Sequence, residues 1–132
     1  MANIQCVVVT PELTVLDTTA EFIALPLFDG EIGVAPGRGP LIGRLGYGEL
    51  RLRRGEKVER YYVDGGFVQI AADVVSILTS RAVPAEKIME DKAREQIEAA
   101  MKKPIATPEM LDLRDRSVAQ ARAQLRVAQR AK

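Results

Sequence analysis

The stretch GEIGVAPGRGPL, residues 30–41, is decisive for the fold because it combines four glycines and two prolines with apolar residues. So many helix breakers exclude a helix here. The apolar residues Ile32, Val34 and Leu41 argue against a solvent-exposed linker. We therefore predict a short strand, a shaped loop and the start of a second strand. We expect a loop this elaborate to present a surface to a partner.

The rest of residues 1–84 shows the pattern of a β-structure, with short strand-forming runs separated by Gly, Pro and Asp. In residues 49–53, leucines alternate with Glu49, Arg51 and Arg53, so we expect the leucines on one face of the strand and the charges on the other. Strands spaced about 8–12 residues apart are typical of a sandwich or barrel, and roughly eight to ten strands fit in this span. The other clear strand candidates are residues 4–9, 21–25, 57–63, 67–71 and 74–79.

The hydrophobic period changes after Pro84, and two helices are predicted from there on. Residues 85–103 lack Gly and Pro, and Thr107-Pro108-Glu109 is a favourable start for a second helix that runs to about Gln129. A short connection between two helices favours an antiparallel hairpin. The predicted apolar faces are Met89, Ala93, Ile97 and Ala100 on the first helix, and Leu111, Val118, Ala121, Leu125 and Ala128 on the second.

The predicted fold class is therefore α+β, with an antiparallel β-sandwich at residues 1–84 and a two-helix hairpin at residues 85–132. The helical faces are rich in alanine, and a buried methyl contributes about 0.8 kcal/mol, against roughly 1.5–3 kcal/mol for a leucine or isoleucine. The hairpin is thus either a stable appendage or an element that detaches when a partner competes for it. The residues alone leave both alternatives open.

The composition argues against most enzyme classes. The chain has no histidine and a single cysteine, Cys6, which lies in an apolar run. The commonest general base and metal ligand are therefore missing, and neither a phosphate-binding loop nor a nucleophile elbow is present. We expect no catalytic residue, no metal, no signal peptide and no membrane span. The net charge of +1 suggests neither nucleic acid nor membrane as a bulk partner.

Four motifs, in order along the chain, resemble the epsilon subunit of F-type ATP synthases. They are residues 30–41, VDGGFVQ at 63–69, VVSILTSRA at 74–82 and AQLRV at 123–127. The resemblance covers essentially the whole chain and implies a ten-stranded sandwich followed by a two-helix hairpin. It also implies a non-catalytic rotor subunit that couples ion translocation to ATP synthesis, peripheral to the cytoplasmic side of the cell (inner) membrane.

The same resemblance implies partners for each half. In the family the sandwich binds the gamma subunit and rests on the ring of c subunits, and the hairpin faces the alpha and beta subunits, where it can block hydrolysis. Matched to the family motif, Glu31 is the carboxylate that would meet basic loops of the c-ring. Arg38 stands where the family commonly has histidine, so it either contacts the same loops or is simply exposed. Arg122, Arg126 and Arg130 form a basic stripe that faces either an acidic segment of the beta subunit or solvent.

Some family members bind ATP on the folded hairpin, and the matching motif here is altered. Met89 replaces an aspartate and Lys92 an arginine, so a polar contact and a planar donor fork are lost. Arg122 and Arg126 remain as candidate contacts. We predict weak or no ATP binding and no cofactor.

One alternative from another functional class remains, a free-standing sandwich whose basic helix binds an acidic partner or nucleic acid. It predicts a salt-dependent affinity for DNA or RNA. No aromatic residues are interleaved with the basic residues of residues 117–132, and the first predicted helix is mixed in charge, which argues against base stacking.

Overall fold

The computed structural model describes residues 3–130 as eight β-strands, a short 3₁₀ turn and two α-helices. The strands are β1 (Ile4–Val9), β2 (Thr14–Ala20), β3 (Phe22–Leu27), β4 (Gly30–Val34), β5 (Leu41–Arg54), β6 (Lys57–Ala71), β7 (Val74–Leu78) and β8 (Ala82–Pro84). The helical part consists of a 3₁₀ turn (Ala85–Lys87), α1 (Glu90–Met101) and α2 (Pro108–Arg130).

The strands follow the hydrogen-bonded order β2-β1-β7-β6-β5-β3-β4, and β8 pairs with β6 outside this path. The long strand β6 pairs with β7 through residues 67–71 and with β8 through residues 61–63, so its two halves have different neighbours. Side chains of β1 and β7 share one core with those of β3 and β4, which lie at the other end of the order. The sheet thus folds over itself as a sandwich, and the predicted fold class is confirmed.

Two details of the sandwich differ from the sequence prediction. The described residues form eight strands, the lower end of the predicted eight to ten and fewer than the ten that the family resemblance implied, in part because residues 57–63 and 67–71 belong to one strand, β6. Gly65 and Gly66 have φ of 73° and 113°, so the strand bends there without ending. In addition, β1 pairs with β7 in parallel, so the sandwich is not wholly antiparallel.

The core follows from the alternation of apolar residues along the strands. Ile4, Cys6 and Val8 on β1 are buried, while the residues between them are more exposed. Leu50 and Leu52 of β5 are also buried, as their spacing predicted. Burial raises the pKa of the Cys6 thiol to about 12, because a thiolate would lose its hydration there.

The first helix is shorter than predicted. The predicted helix covered residues 85–103, whereas α1 spans Glu90–Met101 and is preceded by extended backbone at Ile88 and Met89. Buried Ala85 packs against Tyr62 of the sandwich, so this part of the chain is held on the sheet. The helix therefore begins only after the chain has left the sheet. The predicted start of α2 is confirmed, since the Thr107 hydroxyl accepts a hydrogen bond from the Met110 amide at 3.1 Å.

The alanine-rich faces of the two helices are largely buried. Ala93 and Ala100 of α1 are buried, as are Val118, Ala121 and Ala128 of α2, while Ile97 and Leu125 are half-buried. Met89 and Leu111 were predicted on these faces but are exposed. Met89 lies before α1 begins, and Leu111 lies in the first turn of α2, near the free end of the hairpin.

Candidate functional site

The loop at residues 35–40 connects the edge strand β4 to β5 and is held by hydrogen bonds from two of its backbone amides. The Arg38 amide donates to the Ala35 carbonyl at 3.3 Å, and the Gly37 amide donates to Asp73 Oδ1 at 2.8 Å. Gly37 has a φ of 87°, a conformation that glycine adopts without strain. The side chain of Arg38 is exposed at the tip of this loop.

The Glu31 carboxylate is not free, because it is paired with Arg51 on β5. Arg51 donates to both carboxylate oxygens, at 2.7 Å and 3.1 Å, in a bidentate arrangement. The hydrogen bond to Glu31 is the main cause of a raised pKa for Arg51. A cationic partner would therefore have to share Glu31 with Arg51 or displace it.

Arg51 also contacts a second carboxylate, that of Glu49, whose burial was not predicted from the sequence. Glu49 alternates with the leucines of β5, as predicted, but it is only 5% exposed. Its Oε1 accepts hydrogen bonds from Arg51 and Arg60, both at 3.1 Å, and lies 3.7 Å from Nη1 of Arg130. Its Oε2 is buried with no hydrogen-bond partner among the described residues. We call Glu31, Glu49, Arg51, Arg60 and Arg130 the charge cluster.

The position of α2 explains why Glu49 is buried. α2 packs on β5 and β6, and Ala123 and Val127 join Tyr62 in a second apolar core. Burial, reinforced by the nearby Asp64 carboxylate, raises the pKa of Tyr62, whose hydroxyl donates to Asp64 at 3.0 Å. Gln120 of α2 donates to the same Asp64 oxygen at 3.0 Å. Because α2 is distant in sequence, no local pattern in residues 49–53 indicates that α2 covers Glu49.

The three arginines predicted as one basic stripe have different surroundings. Arg130 contacts Glu49 of the sandwich, whereas Arg126 is exposed. Arg122 is also exposed and lines a shallow groove with Met101, Arg114, Asp115 and Val118. Lys92 lies exposed on α1 and does not line that groove. The structure therefore does not gather the three weak ATP candidates, Lys92, Arg122 and Arg126, around this groove.

A row of exposed apolar side chains crosses the outer surface of the sandwich, and sequence reasoning missed it. Phe67 on β6 lies directly opposite Leu78 on β7 and Arg44 on β5, so these side chains share one face. The Arg44 guanidinium lies 4.9 Å from the centre of the Phe28 ring. We call Phe28, Ile42, Phe67 and Leu78 the apolar row; each is between 58% and 79% exposed.

A row of four large exposed apolar side chains on a rigid sheet is the kind of surface that binds another protein. A groove of about 810 Å³ continues from Phe28 and Phe67 to Arg116 and Gln120 of α2. The signal for the row was present in the sequence, since Phe67 follows the GlyGly pair and Leu78 ends a strand. Which face they occupy depends on the bend at Gly65 and Gly66, which no local pattern specifies.

The free end of the helical hairpin also exposes apolar side chains. Met101 ends α1, Ile105 lies in the connection, and Met110 and Leu113 lie in the first turns of α2. All four are exposed. This end of the hairpin thus offers a second apolar surface, separate in sequence from the sheet.

Within residues 3–130, no group of three or more His, Cys, Asp or Glu side chains is arranged to hold a metal ion. The helices of the described residues are too short or too polar to cross a membrane.

Residues 3–85 match the family model described as the ATP synthase Delta/Epsilon chain, beta-sandwich domain. The chain is 52% identical over 126 residues to the ATP synthase epsilon chain of Rhodopirellula baltica, covering 96% of this chain and 98% of that protein. It is 39% identical over 120 residues to the ATP synthase epsilon chain of Desulfitobacterium hafniense, with 91% of this chain and 90% of that protein covered.

Among solved structures, the fold is similar to a chain in the mitochondrial ATP synthase of Euglena gracilis, determined as an OSCP/F1/c-ring assembly. The TM-score is 0.84 at 24% identity, and the match covers 93% of this chain and 79% of that chain. At this level of identity the structural similarity supports the fold alone.

Proposed function

Since this chain belongs to the ATP synthase delta/epsilon family, we propose that it is a central-stalk subunit of a rotary F-type ATP synthase that couples ion translocation to ATP synthesis. The chain itself is a non-catalytic subunit. We propose that residues 1–84 form the body that binds the gamma subunit and the c-ring, and that residues 85–132 form a regulatory hairpin. As part of the complex, the subunit would lie at the cytoplasmic side of the cell (inner) membrane.

The observation that carries the proposal is the apolar row, which gives a rigid sandwich a surface for a permanent partner. We propose that Phe28, Ile42, Phe67 and Leu78 bind the gamma subunit, because aromatic and aliphatic side chains dominate the cores of stable interfaces. The loop at residues 35–40, together with Glu31 on the edge strand, would contact the c-ring. The Arg38 side chain forms no ion pair with another residue in the range 3–130 and is exposed at the tip of the loop.

The test is recovery of partners from the organism's own cells with tagged protein. The wild-type chain should recover the gamma subunit and the c-ring. Phe67→Ser should reduce the recovery of gamma at least tenfold, since losing a central aromatic contact at an interface costs 2 kcal/mol or more, roughly a 30-fold change in affinity. Val58→Ser is the matched control, because Val58 is an exposed apolar residue near the far end of β6.

Failure of the wild-type chain to recover any stalk subunit would refute the rotor proposal. A salt-sensitive recovery of nucleic acid instead would favour the adaptor alternative.

We further propose that the hairpin restrains ATP hydrolysis through contacts with the alpha and beta subunits. Two features support this. The hairpin meets the strands mainly through α2, and its alanine-lined faces bury little apolar surface per residue. Its free end and the exposed Arg122 and Arg126 then offer apolar and basic contacts to the catalytic subunits.

A further inference from the structure

We propose that Glu49 and Arg130 form a latch that holds the end of α2 on the sandwich, and that Glu31 sets the strength of this latch through Arg51. The latch is a property of the isolated chain. Only its use as a control of the hydrolysis brake rests on the proposed function.

The latch depends on the buried carboxylate of Glu49, whose Oε1 already accepts hydrogen bonds from Arg51 and Arg60. Glu49 is 5% exposed, and its Oε2 has no partner among the described residues. Arg130 approaches Oε1 at 3.7 Å, and a buried carboxylate favours a nearby cation because charge is poorly screened away from water. Arg51 and Arg60 belong to the sheet and remain beside Glu49 whatever the hairpin does. Arg130 belongs to α2, so its contact at 3.7 Å forms only when α2 is docked.

The role of Glu31 follows from the charges that Arg130 meets. The sheet contributes two carboxylates, Glu31 and Glu49, and two guanidinium groups, Arg51 and Arg60, so this part of the charge cluster is neutral. Arg130 therefore approaches Glu49 without net repulsion. If Glu31 loses its charge, the sheet part becomes +1 and repels Arg130.

Arg51 provides the direct connection between the two carboxylates. Its Nη1 lies 3.1 Å from Glu31 Oε2 and also 3.1 Å from Glu49 Oε1, so the same nitrogen serves both. When the Glu31 carboxylate is removed, this nitrogen donates to Glu49 alone. The charge of Glu49 is then better compensated, and its attraction for Arg130 is weaker. Both effects weaken the docking of α2.

A cationic side chain of a partner would act on the latch in the same direction. The Glu31 side chain is 46% exposed on the edge strand β4, whereas Glu49 is covered by α2. A partner cation that binds Glu31 compensates its charge and releases Arg51 toward Glu49. If the c-ring supplies that cation, seating of the sandwich on the ring loosens the end of α2 and favours a detached hairpin.

The experiment measures how often α2 lifts from the sandwich, using a cysteine placed beneath it in the full chain. Val127 is buried against Tyr62, one turn before Arg130, so Val127→Cys places a thiol that reagents reach only when α2 opens. The native Cys6 in the sandwich core reports global unfolding in the same sample. Labelling of each thiol is followed by peptide mass spectrometry under conditions where opening is a rapid equilibrium.

In the Val127→Cys background, Arg130→Gln should raise the labelling rate of residue 127 up to about fivefold, the range of a partly exposed ion pair. Glu31→Gln should raise it about two- to threefold by the same measure. The double variant should be no faster than Arg130→Gln alone, because Glu31 acts through Arg130. Glu59→Gln, which removes another ion-paired carboxylate of the sheet, should have no effect. Labelling of Cys6 should stay unchanged throughout.

An unchanged rate in Arg130→Gln would overturn the latch. An unchanged or slower rate in Glu31→Gln, or additive effects in the double variant, would overturn the control by Glu31. None of these outcomes depends on the gamma subunit or the c-ring, so they are distinguishable from failure of the rotor proposal.

Discussion

Replacing Gly66 by alanine should destabilise the sandwich far more than the same substitution at Gly55 in the β5–β6 turn. Gly66 has a φ of 113°, and an added Cβ would overlap the Leu78 carbonyl oxygen and lie 2.9 Å from its carbon and 3.0 Å from Thr79 Cα. These are backbone atoms, so no side chain can rotate away. Conformational strain of about 1–3 kcal/mol and overpacking of about 1–3 kcal/mol together predict a loss of about 4 kcal/mol.

Gly55→Ala is the matched control for this prediction. Gly55 has a φ of 61°, and an added Cβ would meet nothing within 4 Å. Only the conformational cost of about 1–2 kcal/mol then remains. Urea unfolding followed by circular dichroism gives the free energy of unfolding of each variant. A difference of less than about 1 kcal/mol between the free energies of unfolding of the two variants would refute the reasoning, because the clash with the backbone of β7 would then not destabilise the fold.

The Gly66 substitution should also disturb the apolar row. Phe67 pairs with Leu78 directly after the bend, so a shift of β7 away from Gly66 changes the spacing of both side chains. Gly66→Ala should therefore lower the recovery of the gamma subunit even in protein that remains folded, whereas Gly55→Ala should not.

Three further predictions concern the hairpin and the core. Truncation after Val83 should leave ATP synthesis largely intact and raise the ATPase activity of the purified complex several-fold; unchanged hydrolysis would show that the hairpin is no brake here. Isothermal titration of the isolated chain should show no micromolar ATP affinity, given Met89 and Lys92 in the altered motif, and a micromolar value would contradict this. Since burial raises the pKa of Cys6 to about 12, its thiol is protonated at pH 8, and native protein should resist a thiol reagent that labels it at once in urea. Rapid labelling of the native chain would show that the core opens readily.

The spacing of apolar residues, every second residue in strands and every 3.6 residues in helices, was sufficient to predict a β-region followed by two helices. Residues 4–9 were predicted correctly as a strand, and residues 74–79 to within one residue, since alternation of buried and exposed side chains is a local property. The start of α2 at Pro108 was equally local, because the Thr107 cap acts within one turn. Such features depend on neighbours in sequence and are visible there.

The features that were missed depend on which segments meet in space. Glu49 follows the alternation of a surface strand, and its burial results from α2, which lies far along the chain. The pairing of Glu31 with Arg51 requires β3 to lie between β4 and β5, and the sequence does not specify this order of strands. The late start of α1 has the same origin, because Ala85 packs in the apolar core around Tyr62 and the helix begins only after it. Site roles for Glu31, Arg38, Arg122 and Arg126 stay predictions.

The parallel pairing of β1 with β7 limits how early the sandwich can be completed during synthesis. β1 is synthesised first, yet one of its two lateral partners is nearly the last strand of the sandwich. The β5–β6 hairpin needs only adjacent residues and can form early, whereas the start of the chain must wait for β7. The sandwich can therefore be completed only after β7 has been synthesised, and α2, which packs on β5 and β6, follows β7 in the chain.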